Sequence, residues 1–547
     1  MATAEVLPVK THCLPFSQVP HTSSLFLDYL SFSPGIQPFY PRSPLFSQWV
    51  KEEAARVRYD EQRRRKVCDI LERQNRKWNR GPRTFANIER LRKGAQAAVT
   101  GQQVGLFGGP LFTVFKALTA LKLAEEAGAA GVDCVPVFWL ATEDHDLAEV
   151  NHVSLLSEAG LPELVSTESH DVEDAPVGTV KLGPEIEGAV EKAASLLGET
   201  DAAGWVRECY RPGQTMGSAF ALLMARLFAG WGVILLDPSD PEFHEMAKPV
   251  FKEAIGRAAE IGEALVVRGN DLETAGYHQQ VKVTSATTPV FEVRDGVRTP
   301  IRRKGSAGDV EFVIGEHTVS SSQLLEKIEQ DPPRFSANVL LRPVVQDYLL
   351  PTLVYTGGSA EVAYFAQVAV VYERLLGRVT PVLPRFSATL VEAKPQRLLQ
   401  KYQLDLPDLF LGPEKLRENL ASQALPSDLQ TRFAEATTSL EASMTAIRES
   451  LSRLDATLVD AATNAEEKMK HQLAQMEARV ARAVAQRNEV VTRHAEALNG
   501  ALYPNRVLQE REIGGVSFVA RYGPDLLRDL YGAIHTDCHD HKVIELS

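Results

Sequence analysis

A chain of 547 residues, 44% of them hydrophobic and 24% charged, has room for one large α/β domain with insertions or for two to three domains. Its formal net charge of −12 sets up no global field that would attract nucleic acid or an anionic membrane surface, so neither partner is expected. No window approaches about 18 uninterrupted apolar residues, and the five scattered cysteines (Cys13, Cys68, Cys134, Cys209, Cys538) lack C-x-x-C spacing, so no zinc knuckle or disulfide framework follows and a cytoplasmic setting is expected.

Residues 1–80 read as an N-terminal arm and helix. The first 44 are rich in proline, serine and aromatics and suit an extended arm lying over a body. From Leu45 to Arg80 the pattern is charged and helical. The basic run Arg63–Lys66 reads as a solvated helix face with interleaved acids rather than a nucleic-acid surface.

The core, residues 81–264 in its first part, is organised around 97–152. Ala97–Thr100 is a short apolar run ending in a glycine-rich turn, GQQVGLFGGP over 101–110. Leu111, Val114, Phe115, Leu118, Leu121 and Leu123 then recur at helical spacing. After Gly128 and Gly131 a second apolar run, Val135–Leu140, leads into Ala141-Thr-Glu-Asp-His-Asp146. Apolar run, glycine turn, helix and apolar run make a βαβ unit with parallel strands. Ligands of parallel α/β sheets bind beyond the carboxyl ends of the strands, so both polar stretches fall on one edge, about one strand spacing apart. Gln102, Gln103, Gly105, Gly108 and Gly109 are candidates for a nest of N–H groups holding phosphate or carboxylate, with Lys116 reaching back. The loop is neither G-x-G-x-x-G nor a Walker loop, and a tight strand-to-helix turn is the bland alternative. Opposite it, Glu143, Asp144, His145 and Asp146 offer acid and base groups, and Asn151 and His152 could orient a substrate.

Acidic loops at Asp171–Asp174 and Pro184–Glu187 look like surface insertion, near 155–210. Met216–Gly230 reads as a helix and Trp231–Leu236 as a buried strand, after which Asp237-Pro-Ser-Asp240 opens the next helix. Asp237 is either a cap or a ligand for a hydroxyl. Residues 265–335 form a small β-rich insertion, with β-type runs at Val281–Ser285, Val290–Arg294 and Arg298–Arg302, a hairpin signal at Asp295-Gly296, and Arg302, Arg303 and Lys304 at the rim. The core resumes over 336–400. Pro351–Thr356 is a strand, and Gly357-Gly358 opens a helix in which Glu361 is either a substrate-facing base or an acid favourable to the helix dipole. Arg342 and Gln346 could bind carboxylate. Residues 401–500 are coiled coil, with neither glycine nor proline from Asp428 to Asn499 and apolar residues stepping by three and four. The phase falters at Asp460–Asn464, and the chain must return to the body over 501–547. An antiparallel hairpin allows that return, whereas a straight rod of about 108 Å does not. The Met-and-Leu stripe is expected to be its core. Gln509 and Arg511 mark a second candidate nucleotide contact, and His535, His539 and His541 suit a polar C-terminus better than a metal site.

TGQQVGLFGGPLFTVFKALTALKLA, PVFWLATEDHDLAEVNHV, Asn338-Val-Leu-Leu-Arg-Pro-Val-Val-Gln346 and Tyr503-Pro-Asn-Arg-Val-Leu-Gln-Glu-Arg511 resemble the BshC family, the cysteine-adding enzymes of bacillithiol biosynthesis, in order along nearly the whole chain. The resemblance implies an α/β fold, a Rossmann-like core with inserted connecting domains and a C-terminal coiled coil that pairs two copies as a homodimer. It implies a ligase that adds L-cysteine to glucosaminyl-malate. Amide formation from a free carboxylate is uphill in water, so ATP or another nucleotide is the expected activator, with the glycine loop holding phosphates or a carboxylate. A group within Glu143–Asp146 would deprotonate the attacking ammonium. Asp144, His145, Asp146, Glu149 and His152 are enough donors for a metal, but their spacing matches no zinc motif and none is expected. The rival readings are a metal-dependent hydrolase of an N-acyl sugar and a nucleotide-binding coiled-coil scaffold.

Overall fold

The computed structural model describes residues 10–168, 174–305, 310–423, 427–455, 457–487 and 489–546. All but Asp174 of the acidic stretch Asp171–Asp174 lies outside them. The chain divides into two compact units, Met1–Thr389 with Glu510–Ile544, and Leu390–Gln509 with Glu545–Ser547. Among the described residues no helix is long and apolar enough to cross a membrane.

In the first unit, β1 (Gln96–Gln102), β2 (Cys134–Leu140), β3 (Ile234–Leu236), β4 (Thr352–Gly357) and β5 (Val382–Pro384) form one parallel sheet in the order β5-β4-β1-β2-β3. Every residue of β2 is buried, as a strand covered on both faces requires. Helix α1 (Phe112–Ala129) crosses from β1 to β2, and α2 (Pro241–Gly256) follows β3 with Asp240 as its cap and Pro241 at its start. Helix α3 (Arg342–Leu349) precedes β4, and α4 (Ser359–Leu375) joins β4 to β5. Side chains alternate across the sheet. Ala97 and Val99 pack with Phe251 of α2 and Val362 and Val368 of α4, whereas Ala98 and Leu353 pack with Leu123 and Ala127 of α1. The direction of winding reverses between β1 and β4, and that switch point opens a crevice at the carboxyl strand ends.

The insertion after α2 is a five-stranded antiparallel sheet, ordered His317–Ser320, Glu311–Ile314, Val297–Lys304, Thr287–Arg294, Phe335–Ala337. Asp295 and Gly296 both take positive φ, 52° and 82°, as a two-residue hairpin turn demands. Val281–Ser285 is not a strand. The Gln367 amide bonds both the N–H and the carbonyl of Val281 at 2.9 and 2.8 Å, supplying from a side chain what a neighbouring strand would give.

Several surface expectations give way to burial. The N-terminal arm carries a helix, Ser24–Ser31, capped by Ser23, with Leu25, Phe26 and Tyr29 in the core. In the insertion near 155–210, Ile186 begins the helix Ile186–Leu197 and is fully buried. The C-terminus is no polar tail. Its strand His541–Glu545 pairs with Thr11–Leu14, and His541 is fully buried between the hydroxyls of Ser387 and Thr389, where desolvation pulls its pKa down to about 4. In the basic run, Arg64 points inward and donates to the carbonyls of Leu91 and Ala95 at 3.0 and 3.1 Å. Arg64→Ala takes the Arg64 donor from the Ala95 carbonyl and leaves Leu91 only the Gly94 N–H, and a loss of about 1–3 kcal/mol is expected, read as a lower urea midpoint at unchanged slope.

The second unit is helical. Its longest helices, α5 (Ser427–Leu454) and α6 (Thr457–Arg487), run antiparallel, since Arg448 pairs with Glu466 while Glu441 pairs with Lys470 at 2.7 Å. The turn falls a few residues before Asp460–Asn464. Asp455 makes it without glycine or proline by accepting from the Thr457 N–H and hydroxyl at 2.9 and 2.7 Å. The apolar stripe is only partly core. Met444 and Ala462 are buried, whereas Ile447, Leu454, Leu458, Met469 and Met476 are exposed.

Candidate active site

A cavity of about 230 Å³ opens at the switch point, lined by the ends of β1 (Gly101, Gln102, Gln103), β2 (Trp139, Ala141) and β4 (Tyr355), together with residues that follow them. Gly101 lets β1 lie close against β2, since a Cβ there would be only 3.1 Å from the Trp139 carbonyl oxygen.

One wall is a buried polar cluster. The Lys116 ammonium lies 2.5 Å from Glu361 and donates to the Gly101 carbonyl and the Gln102 side chain, each at 2.8 Å. Glu361 also accepts from the Tyr355 hydroxyl at 2.6 Å and the Gly358 N–H at 2.8 Å. Burial works against its charge, but Lys116 and these donors outweigh it and hold its carboxyl below the usual range. Burial likewise pulls Lys116 below its ordinary value, opposed by Glu361. Arg342 donates to the Tyr364 hydroxyl at 2.8 Å, and although burial opposes its charge, the oxygens of Tyr364, Tyr355 and Glu361 raise its pKa.

The opposite wall carries Glu143 and Asp144. Glu143 Oε1 lies 3.0 Å from Nε2 of His244 on α2, whose Nδ1–H is aimed at the Phe335 carbonyl at 2.9 Å. Burial disfavours a charged His244, yet Glu143 and that carbonyl prevail and raise its pKa above the ordinary imidazole value. Arg298, from the inserted sheet, donates to Ser336 at 3.1 Å and the Ala337 carbonyl at 2.6 Å. Its third nitrogen lies 3.1 Å from His145 Nδ1 and 3.8 Å from Asp144. Burial lowers its pKa, with Glu143 and Asp144 opposing. Gln103 donates to Asp144 at 2.7 Å and to Glu149 at 2.9 Å.

Thus Gln102, Gln103, Glu143, Asp144, Arg342 and Glu361 line the cavity, while Lys116 and His145 stand just behind it. Gly105, Gly108 and Gly109 of the glycine loop do not. Gly105 donates to Gln103, Gly108 to Gly105 and Gly109 to Leu106, and the neighbouring Leu106 donates to Val150. Gly105 and Gly109 pack so closely that a Cβ on the first would sit 3.1 Å from the second, so the loop is a packed turn, not an anion nest. Glu361 itself takes up the Gly358 N–H of the Gly357-Gly358 turn. Asp146 accepts from the Glu149 N–H, and exposed His152 faces the side chain of Asn151, with none of the three lining the cavity. Gln346 is fully buried between Arg342 and Asp347. Gln509, in the helical unit, is buried and spends its amide on Leu390 and the Ala501 carbonyl. Arg511 is exposed beside Phe112. Asp237 accepts from Thr142 and Ser239 and is a local tie; burial raises its pKa.

Three cavity groups escaped the sequence reading. Tyr355 and Tyr364 were hidden as strand and helix apolars. Arg298 sits at an inward position of an alternating strand, within reach of the Phe291 ring at 4.2 Å, and only the insertion's docking brings it to Glu143 and Asp144. Among the described residues, Asp144, His145, Asp146, Glu149 and His152 do not gather three donor atoms within 4.8 Å of one another.

Two family descriptions match the chain: bacillithiol biosynthesis BshC, N-terminal Rossmann-like domain, over residues 9–386, and bacillithiol biosynthesis BshC, C-terminal coiled-coil domain, over 388–546. Three similar proteins carry the name "Putative cysteine ligase BshC". The one from Koribacter versatilis is 46% identical, covering 98% of this chain and 99% of its own. Those from Solibacter usitatus and Salinibacter ruber are 36% and 32% identical, each covering 97% of this chain and 99% and 98% of their own.

Proposed function

The chain belongs to the BshC family of bacillithiol biosynthesis, and from that premise we propose that it is a ligase joining the carboxyl group of L-cysteine to the amine of glucosaminyl-malate. The observation that carries this reading is one cavity in which two arginines, Arg298 buried and Arg342 half-buried, stand with the Glu143–His244 pair. Both substrates bear carboxylates, and a guanidinium fork is the side chain suited to them. Glu143 is the group that takes the proton from the attacking ammonium, and His244 behind it fixes its direction. Trp139 and Val339 supply apolar wall to the cavity. A nucleoside triphosphate enters as a further substrate that activates the cysteine carboxylate, and the internally bonded glycine loop is not assigned to its phosphates.

The test is mass spectrometry of purified protein with glucosaminyl-malate, L-cysteine and ATP, each omitted in turn. A product equal to the two substrates minus water, formed only with all three, is expected; its absence from the complete mixture refutes the reading.

We also infer that the helical unit pairs two copies of the chain. Ile447 and Leu454 lie one heptad apart, as do Met469 and Met476, and all four are exposed. Ile447→Glu combined with Met476→Glu is expected to halve the mass seen by light scattering; a wild-type chain that is already monomeric sinks the inference.

A further inference from the structure

Lys542 aims its ammonium at two sulfurs at once, Cys13 Sγ at 3.0 Å and Cys538 Sγ at 2.9 Å. Cys13 and Lys542 face each other across the antiparallel pairing of Thr11–Leu14 with His541–Glu545, and Cys538 lies in the turn that leads into the second strand. The two sulfurs and an Asp540 carboxylate oxygen all lie within 4.8 Å of one another. The other cysteines are unlike them. Cys68, Cys134 and Cys209 are buried, and desolvation pushes their thiols up to about 12, about 12 and about 11. Cys13 is exposed and Cys538 half-buried.

We propose that Cys13 and Cys538 form a reversible dithiol–disulfide pair that exchanges with low-molecular-weight disulfides. The attacking species in exchange is the thiolate, and an ammonium in contact with both sulfurs stabilises whichever one carries the negative charge. A disulfide needs the sulfurs at about 2.05 Å. Cys538 sits in a turn outside the strand ladder, so it can make that approach without breaking the sheet. The same ammonium argues against a resident metal, because a cation bridging the two sulfurs would be forced against Lys542.

The chemistry balances without another reagent. One protein thiolate attacks a sulfur of the small disulfide, RSSR, forming a mixed disulfide and releasing RS⁻. The second protein thiolate then attacks the protein sulfur of that mixed disulfide and expels the second RS⁻. The two thiol protons end on two RSH, and the two electrons lost by the cysteines are gained by RSSR. The bond ties the first described strand of the chain to its C-terminal segment. The pair lies outside the cavity and does not depend on the ligase reading.

The test uses the full-length chain with glutathione disulfide, followed by non-reducing proteolysis and mass mapping. The expected product is a Cys13–Cys538 cross-linked peptide, lighter than the two reduced peptides by two hydrogens and released by dithiothreitol. Cys13→Ser should trap Cys538 as a stable mixed disulfide with glutathione. Lys542→Met, with an unchanged circular dichroism spectrum, should slow cross-linking on the order of tenfold. Two separately glutathionylated cysteines with no cross-link overturn the proposal, as does protection of both thiols in the folded chain under conditions that oxidise the urea-unfolded one. Stoichiometric binding of Zn²⁺ alone that blocks the cross-link reassigns the cluster to a metal. An unchanged rate in Lys542→Met likewise overturns the proposal, which rests on the ammonium in contact with both sulfurs.

Discussion

Lys116→Met is expected to cost about 2–4 kcal/mol at neutral pH, measured as a fall in the urea midpoint, because it leaves a half-buried carboxylate without its ammonium partner. Lys116 is almost fully buried, and Glu361 is the charge it neutralises at 2.5 Å. Tyr355 and the Gly358 N–H remain after the substitution, but both are neutral donors, and Arg342, whose charge also feels Glu361, spends its N–H groups on Gln346, Tyr355 and Tyr364. Pairing Lys116→Met with Glu361→Gln removes both charges, and the double variant is expected to recover more than half of the loss. The pH dependence has a definite sign. Glu361 titrates below the usual carboxylate range in the folded chain. Its contribution is therefore complete above the ordinary carboxyl value of about 4.3 and disappears as the pH falls through the lower folded value. Wild type should lose this increment on acidification below about pH 4, whereas the double variant has none to lose. A single substitution costing less than about 1 kcal/mol would show that the pair behaves like an exposed salt bridge.

The sheet was legible because its signals are local. Ala97–Thr100, the glycine turn and Val135–Leu140 state a βαβ unit within one stretch, and the carboxyl-end rule then places Gln102, Gln103, Glu143 and Asp144 in one crevice. The glycines misled for a physical reason. Glycine serves equally where backbone must meet a ligand and where backbone must meet backbone, and Gly105 against Gly109 is the second case. Composition cannot say whether an N–H is already spent. The positive charge at the cavity comes instead from Arg298 and Arg342, and Arg298 was invisible because its place there depends on how a separate antiparallel sheet docks on the parallel one. His244 was missed likewise. It reads as one polar residue on an amphipathic helix until α2 is packed beside the end of β2, where Nε2 meets Glu143. The hairpin turn at Asp455 was displaced because a capping aspartate does there what glycine or proline would have announced. Heptad spacing, finally, locates an apolar stripe but not its partner, so Ile447 and Met476 match the pattern while remaining exposed in the single chain.

Glu143→Gln is expected to lower kcat by about 10²–10⁴ with KM little changed, because a general base acts on the barrier and not on ground-state binding. The amide keeps the size of the side chain and can still bond to His244, so the circular dichroism spectrum and urea midpoint serve as controls for folding. The pairing with His244 makes a second, independent measurement. His244 has its pKa raised in the folded chain, chiefly against burial by Glu143. A raised value means that the pair's stabilisation is complete below the ordinary imidazole value of about 6.5 and is lost as the pH climbs through the folded value. The thermal midpoint of wild type should accordingly decline above about pH 6.5 relative to that of His244→Gln, which lacks the titrating ring. The two readouts separate chemistry from architecture. A collapse of kcat together with the lost pH dependence assigns Glu143 to the proton transfer and His244 to holding it in place. Retention of more than about a third of kcat in Glu143→Gln, far short of what a general base contributes, would pass the base's role to Asp144, the other cavity carboxylate on that wall, which Gln103 already orients.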